Sequence, residues 1–250
     1  MRNVEKKINI YRKLIYQNKK IYNFNSTPII FLLISRISNL FSFFLILLKI
    51  DPNKISWFNF LISIISIFLI FYASSKNHLI IYGIFFYFLY LIIDFCDGAV
   101  ARYFKINSFY GKFIDGLFDI FFKTFLILAL GFYGFEMLGE KSILIFGCIS
   151  SILSSFDTFI LDRYSAIVRW FNKEKRKKIK PYIRKSFLVK ATFFYDNIFV
   201  ILVGLILITR NEASILYYNL LTIFFISFVS AIQNLILHVF YSFKNLKFEK

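Results

Sequence analysis

Apolar residues run through this chain in stretches too long for the core of a small soluble fold, and polar residues collect in the breaks between them. Six stretches, at 54–74, 78–103, 111–135, 142–166, 191–209 and 214–242, reach or approach the roughly 20 residues that carry an α-helix across a bilayer. They predict six transmembrane helices, the fifth being the shortest. A further apolar stretch, 29–50, is long enough to span, but Ser35, Arg36, Ser38 and Asn39 interrupt it. That mixture predicts an amphipathic helix lying in the membrane interface. Asp51-Pro52-Asn53 then breaks the helix. The expected fold class is all-α integral membrane, with six transmembrane helices preceded by an N-terminal amphipathic interfacial helix. The expected organisation is a basic N-terminal segment and interfacial helix at 1–53, a six-helix transmembrane domain at 54–243 and a tail at 244–250.

Charge orients the helices. The breaks near 75–78, 135–141 and 209–213 carry few net charges, whereas 1–27, 102–112, 167–190 and 244–250 are rich in Lys and Arg. With six spans these alternate, so the positive-inside rule puts both termini and the basic loops in the cytoplasm. Were 29–50 a span, the seven cations of the N-terminus would lie outside. Composition agrees with a multi-pass membrane protein: 58% of residues are hydrophobic and 22% aromatic. The net charge of +17 would suggest nucleic acid in a soluble protein. Here it points to anionic membrane lipids, with no nucleic-acid partner. The two cysteines, Cys96 and Cys148, lie in apolar runs and predict neither a disulfide nor a metal site. Residues 1–26 do not have the form of a signal peptide.

Against this apolar background, Asp94, Asp97, Asp115 and Asp119 stand out. Spacings of three and four put each pair on one face of a helix, with 102–110 turning between the two helices. Carboxylates are costly in lipid and signal a site facing protein or water. Four together repel one another unless a cation sits among them, and an all-oxygen set suits a hard divalent ion. Asn59, Asp157, Asp162, Arg163, Asp196, Asn197, Gln233, Asn234 and His238 fall at a similar depth in their predicted helices, with Asn219 the exception. Polar groups at one depth predict a water-filled cavity open to the cytoplasm. For Gln233, Asn234 and His238, hydrogen bonding between helices is the expected role.

The spacing also carries a resemblance. Asp94-xx-Asp97-Gly98-xx-Ala101-Arg102, eight residues, then Gly111-xxx-Asp115-xxx-Asp119 resembles the CDP-alcohol phosphotransferase motif at all eight defined positions. Pro52-Asn53-xx-Ser56 is similar to the family's turn before its first span. The resemblance covers roughly residues 30–125. It implies an enzyme that displaces CMP from a CDP-linked donor, most often CDP-diacylglycerol, with an alcohol. It implies Asp94, Asp97, Asp115 and Asp119 as ligands of two Mg²⁺ or Mn²⁺ ions, with Asp119 also the general base. It implies donor binding by Gly98, Ala101, Arg102, Ser108 and Gly111, and more weakly by Asn53 and Ser56. Glycines 98 and 111 would let the nucleotide lie against the helices. A homodimer is expected from the resemblance alone.

Many glycerol-phosphate-using relatives follow the last Asp with a basic residue. Here Ile120 follows, and Lys123 comes one turn on. This lowers the weight on a glycerol-phosphate acceptor and leaves Lys123 and Arg163 as acceptor-binding candidates. Serine, inositol phosphate, choline and other alcohols stay open. A cation or proton transporter using the same carboxylates is the alternative, but it predicts polar groups on both sides of the midplane. A silent scaffold predicts a lost carboxylate, and none is lost.

Overall fold

The computed structural model describes residues 8–16, 29–73, 79–106, 108–174 and 213–236. Among them there are helices and no strands: α1 (8–16), α2 (Ile29–Leu47), α3 (Pro52–Tyr72), α4 (Leu79–Phe104), α5 (Phe109–Leu138), α6 (Lys141–Glu174) and α7 (Ala213–Asn234). Among the described residues, three stretches are long and apolar enough to cross a membrane by length and composition: Pro52–Tyr72, Leu79–Phe104 and Lys141–Ile160. The predicted spans at 54–74, 78–103, 111–135, 142–166 and 214–242 each fall on a helix, although 74, 78 and 237–242 are outside the described residues. The span predicted at 191–209 also lies outside them.

Helix ends follow local chemistry. Asp51 caps α3: its Oδ1 accepts the Asn53 N–H at 2.8 Å, and Pro52 takes the first helical position, where a missing N–H costs nothing. Ser108 caps α5 in the same way, its Oγ accepting the Gly111 N–H at 2.9 Å. α2 and α4 end alike. In α4, Lys105 N–H reaches Arg102 O at 3.3 Å and Ile106 N–H reaches Ala101 O at 2.9 Å, the Schellman pattern. The left-handed residue of that cap is a lysine in both helices, Lys49 at φ 54° and Lys105 at φ 58°. Glycine would avoid a cost of about 1–2 kcal/mol at such a position.

The chain divides into two compact units, Met1–Leu69 with Tyr82–Phe118, and Ile70–Ile81 with Asp119–Lys250. In the first, α3 buries a stripe at Ile55, Ser56, Asn59, Ile62, Ser63 and Ser66. Ser66 Oγ–H donates to the Gly83 carbonyl at 2.8 Å, tying α3 to α4. Phe60 stacks on Phe118 with ring centroids 4.2 Å apart. α1 seats the fully buried Leu14, and its Lys13 ammonium lies 4.4 Å from the Tyr103 ring centroid.

α2 carries its small polar residues on the inner face and apolar residues on the outer one. Ser35, Ser38, Asn39 and Ser42 point inward and are buried, while Leu33, Ile37, Leu40, Phe41 and Phe44 are exposed. The Cys96 thiol donates to the Ser38 carbonyl at 3.3 Å. Ser35, Ser38 and Asn39, which interrupt the apolar stretch, are therefore packed against protein, while Arg36 is exposed. An apolar outer face with a polar inner face is the reverse of a helix on a soluble core, and it suits a lipid surrounding.

In the second unit, α5 and α6 meet backbone to backbone. A Cβ on Gly131 would lie 2.8 Å from the Gly147 Cα, so only glycine permits this approach. Thr124 and Ser155 hydroxyls pair there, and Ser151 Oγ–H donates to the Thr124 carbonyl at 2.9 Å. Between α6 and α7, Asp157 is buried and accepts from Ser230 Oγ at 2.9 Å and from the Asn234 side-chain amide. Asp157 and Asn234 thus bond helix to helix. Phe146 lies beside Phe224, with centroids 5.3 Å apart. Residue number rises in the same direction on both partners, from 146 with 224 to 157 with 230 and 234, so α6 and α7 run parallel.

Candidate active site

The last turns of α4 and the first turns of α5 carry the chemistry. Asp94 and Asp97 lie three apart on α4, and Asp115 lies in the second turn of α5. Each offers a carboxylate oxygen within 4.8 Å of the other two. Asp97 is 8% exposed, Asp94 is partly buried and Asp115 is exposed, so the group opens to one side. Ser56 on α3 donates its hydroxyl proton to Asp97 Oδ2 at 2.8 Å. The Pro52 carbonyl is also near Ser56 Oγ, at 3.2 Å, but one proton serves the charged acceptor better. Three carboxylates brought this close, with one fixed by a hydroxyl, fit a hard divalent cation, whose ligands are oxygens.

Beside this group is a cleft of about 410 Å³. α3 contributes Asn53 and Ser56 to its lining, and α4 contributes Asp97, Gly98, Ala101 and Arg102. The turn contributes Lys105 and Ser108, and α5 contributes Gly111, Lys112 and Asp115. Every donor-side residue expected from the sequence thus lines one cavity. The N-termini of α3 and α5 both open onto it, and helix N-termini favour anions. With Arg102, this makes a cleft suited to a phosphate-bearing molecule on the open side of a carboxylate cluster.

Side chains of the protein itself lie against both motif glycines. A Cβ at Gly98 would lie 3.0 Å from an Arg102 guanidinium nitrogen, so the arginine folds back over the space the glycine leaves. A Cβ at Gly111 would lie 2.7 Å from Ser108 Oγ and 2.9 Å from Asn53 Oδ1. The room at each glycine is therefore used by the protein's own side chains. Ser108 likewise has a local role as the cap of α5. Cys96 is fully buried and packs against α2, as its off-face position in the sequence suggests.

Asp119 follows Asp115 by one turn of α5 and is exposed; Lys123 follows by another turn and is half-buried. Arg163 on α6 is exposed, with its guanidinium 5.0 Å from the Phe159 ring centroid, a contact that holds it without any ligand. Asp196, Asn197 and His238 lie outside the described residues. Sequence reasoning missed Lys105 and Lys112 as cleft residues. It also missed the hydrogen bond from Trp57 Nε1–H to the Tyr110 hydroxyl, at 3.2 Å, which joins α3 to α5 one residue from Ser56 and one from Gly111. The basic residues flanking the motif's central turn were the available signal for the lysines.

A search of curated proteins returned no match. The pattern of the CDP-alcohol phosphatidyltransferase family matches residues 49–225. That range contains the whole motif and extends beyond it through α6 and into α7, a region the sequence resemblance did not reach. Family members are phosphotransferases, which the transport alternative does not account for. The chain therefore belongs to the CDP-alcohol phosphatidyltransferase family and is a membrane phosphotransferase acting with a CDP-alcohol.

Proposed function

We propose that the protein transfers a phosphatidyl group from CDP-diacylglycerol to an alcohol and releases CMP. The observation that carries this is the convergence of Asp94, Asp97 and Asp115 beside a cleft lined by two helix N-termini and Arg102. The carboxylates would hold Mg²⁺ or Mn²⁺, with Asp119 a further ligand, and two ions are expected. When bound, such ions neutralise diphosphate charge. Asn53, Ser56, Gly98, Ala101, Arg102, Ser108 and Gly111 would seat the donor, with Arg102 pairing with a phosphate. Asp119 would take the proton from the acceptor hydroxyl as its oxygen attacks the lipid-side phosphorus. The bond from that phosphorus to the bridging oxygen breaks, and the electron pair leaves with CMP. Lys123 and Arg163 are the acceptor-side candidates. A lipid donor is favoured by the exposed Trp57 and Tyr110, chain neighbours of the cleft residues Ser56 and Gly111, because amphipathic aromatic rings suit the membrane interface.

The reading is tested with purified protein in detergent, CDP-diacylglycerol, Mg²⁺ or Mn²⁺ and a pool of alcohols. CMP release with one acceptor, and a product of matching mass, is expected. No CMP from CDP-diacylglycerol, with release from a soluble CDP-alcohol, would replace the lipid donor.

We also propose six spans, with the site and both termini in the cytoplasm. Parallel α6 and α7 support this, since the chain between them must cross back once, and 191–209 is apolar enough to do so. A cysteine introduced at Lys177 is expected to react with an impermeant maleimide only when the cytoplasmic face is open. Labelling from outside would rule this topology out.

A further inference from the structure

Two lysines in the cleft sit where their own backbone disfavours them. Lys105 occupies the left-handed cap position of α4, which glycine fills without strain. Lys112 lies at the start of α5, whose first turn has no acidic residue, although the positive end of a helix repels a cation. Both side chains line the cleft and both residues are exposed. Among the described residues, neither ammonium meets a hydrogen-bonding or ionic partner, whereas Arg102, in the same cleft, is engaged. Lys49 occupies the same kind of cap at the end of α2 without lining the cleft, so it separates the backbone effect from the site.

We propose that Lys105 and Lys112 bracket the phosphate of the departing cytidine nucleotide. This rests on the reading of the donor as a CDP-alcohol. In transfer, the acceptor oxygen bonds to the lipid-side phosphorus and the bond to the bridging oxygen breaks. That oxygen keeps the electron pair and becomes a terminal oxygen of CMP, whose phosphate goes from one negative charge to two. The acceptor's proton passes to the base. The charge therefore grows on the nucleotide side. The carboxylate cluster is itself anionic, so the Lys105 and Lys112 ammonium groups, with the α5 N-terminus and beside Arg102, are suited to receive it.

The test compares full-length wild type with Lys105→Met, Lys112→Met and Lys49→Met in detergent with Mg²⁺. Equilibrium binding of CMP and of cytidine is measured, together with kcat for CMP release. Lys105→Met and Lys112→Met are each expected to weaken CMP binding about tenfold, the loss of one charge-assisted contact, and to leave cytidine binding unchanged. They are expected to lower kcat as well, and Lys105→Arg is expected to restore most of the affinity. Lys49→Met is expected to match wild type in all three measurements. Wild-type affinity for CMP in both cleft variants, or equal loss for CMP and cytidine, overturns the bracket. A folded wild type that binds no CMP and releases none overturns the donor reading itself.

Discussion

Asp97→Asn is expected to lower metal-dependent CMP release by about a thousandfold or more, the scale of the several kcal/mol that a metal ion contributes in such chemistry. Asp97 is the most buried member of its cluster and the one fixed by Ser56. Asparagine keeps the shape and can still accept that hydroxyl proton, so the packing of α3 on α4 is preserved. What changes is charge. Carboxylate oxygens within 4.8 Å of one another repel by about 3 kcal/mol or more per pair at an effective dielectric near 20, and by less for the exposed Asp115. Removing one charge relieves two of the three repulsions. The variant is therefore expected to melt at the same temperature as wild type or higher in chelator, and to lose the stabilisation that Mn²⁺ gives wild type. Activity lost together with stability, in chelator as well as in metal, would mean that Asp97 is chiefly a packing residue. An activity–stability trade of this kind is expected where like charges are gathered for function.

Asp119→Asn is expected to reduce transfer by about a hundredfold to ten-thousandfold, the range of general-base catalysis. Metal-dependent binding of CMP is expected to survive, because Asp94, Asp97 and Asp115 form the close group without it. The pair of measurements separates two roles for one residue. Loss of transfer with binding retained marks the base. Equal loss of both marks a ligand, and the proton then needs another acceptor.

The centre of the site was legible in the sequence because it is local. Spacings of three and four on α4 and α5 put Asp94 with Asp97 and Asp115 with Asp119 whatever the rest of the chain does. The break at Asp51-Pro52-Asn53 was legible for the same reason, since the cap and the proline act within one turn. The facing of α2 was not. Periodicity finds the stripe of Ser35, Ser38, Asn39 and Ser42, but the stripe does not say which medium it meets, and the rule for soluble helices reverses in lipid. The use of Gly98 and Gly111 depended on side chains from other turns and another helix, Arg102, Ser108 and Asn53. Lys105 and Lys112 read as ordinary loop charges until the left-handed cap and the cleft placed them. The parallel run of α6 and α7 rests on contacts more than 70 residues apart in sequence, Asp157 with Ser230 and Asn234, which no local pattern encodes.

We propose that the carboxylate cluster works through bound divalent cations on a CDP-linked donor. The most direct test of this is CMP release from CDP-diacylglycerol by chelator-stripped wild type as Mg²⁺ or Mn²⁺ is titrated back, with the acceptor held constant. No release without metal, saturable recovery with either or both ions, and no recovery in Asp97→Asn are expected. Release that continues undiminished in chelator, or a titration that Asp97→Asn follows as wild type does, would contradict it.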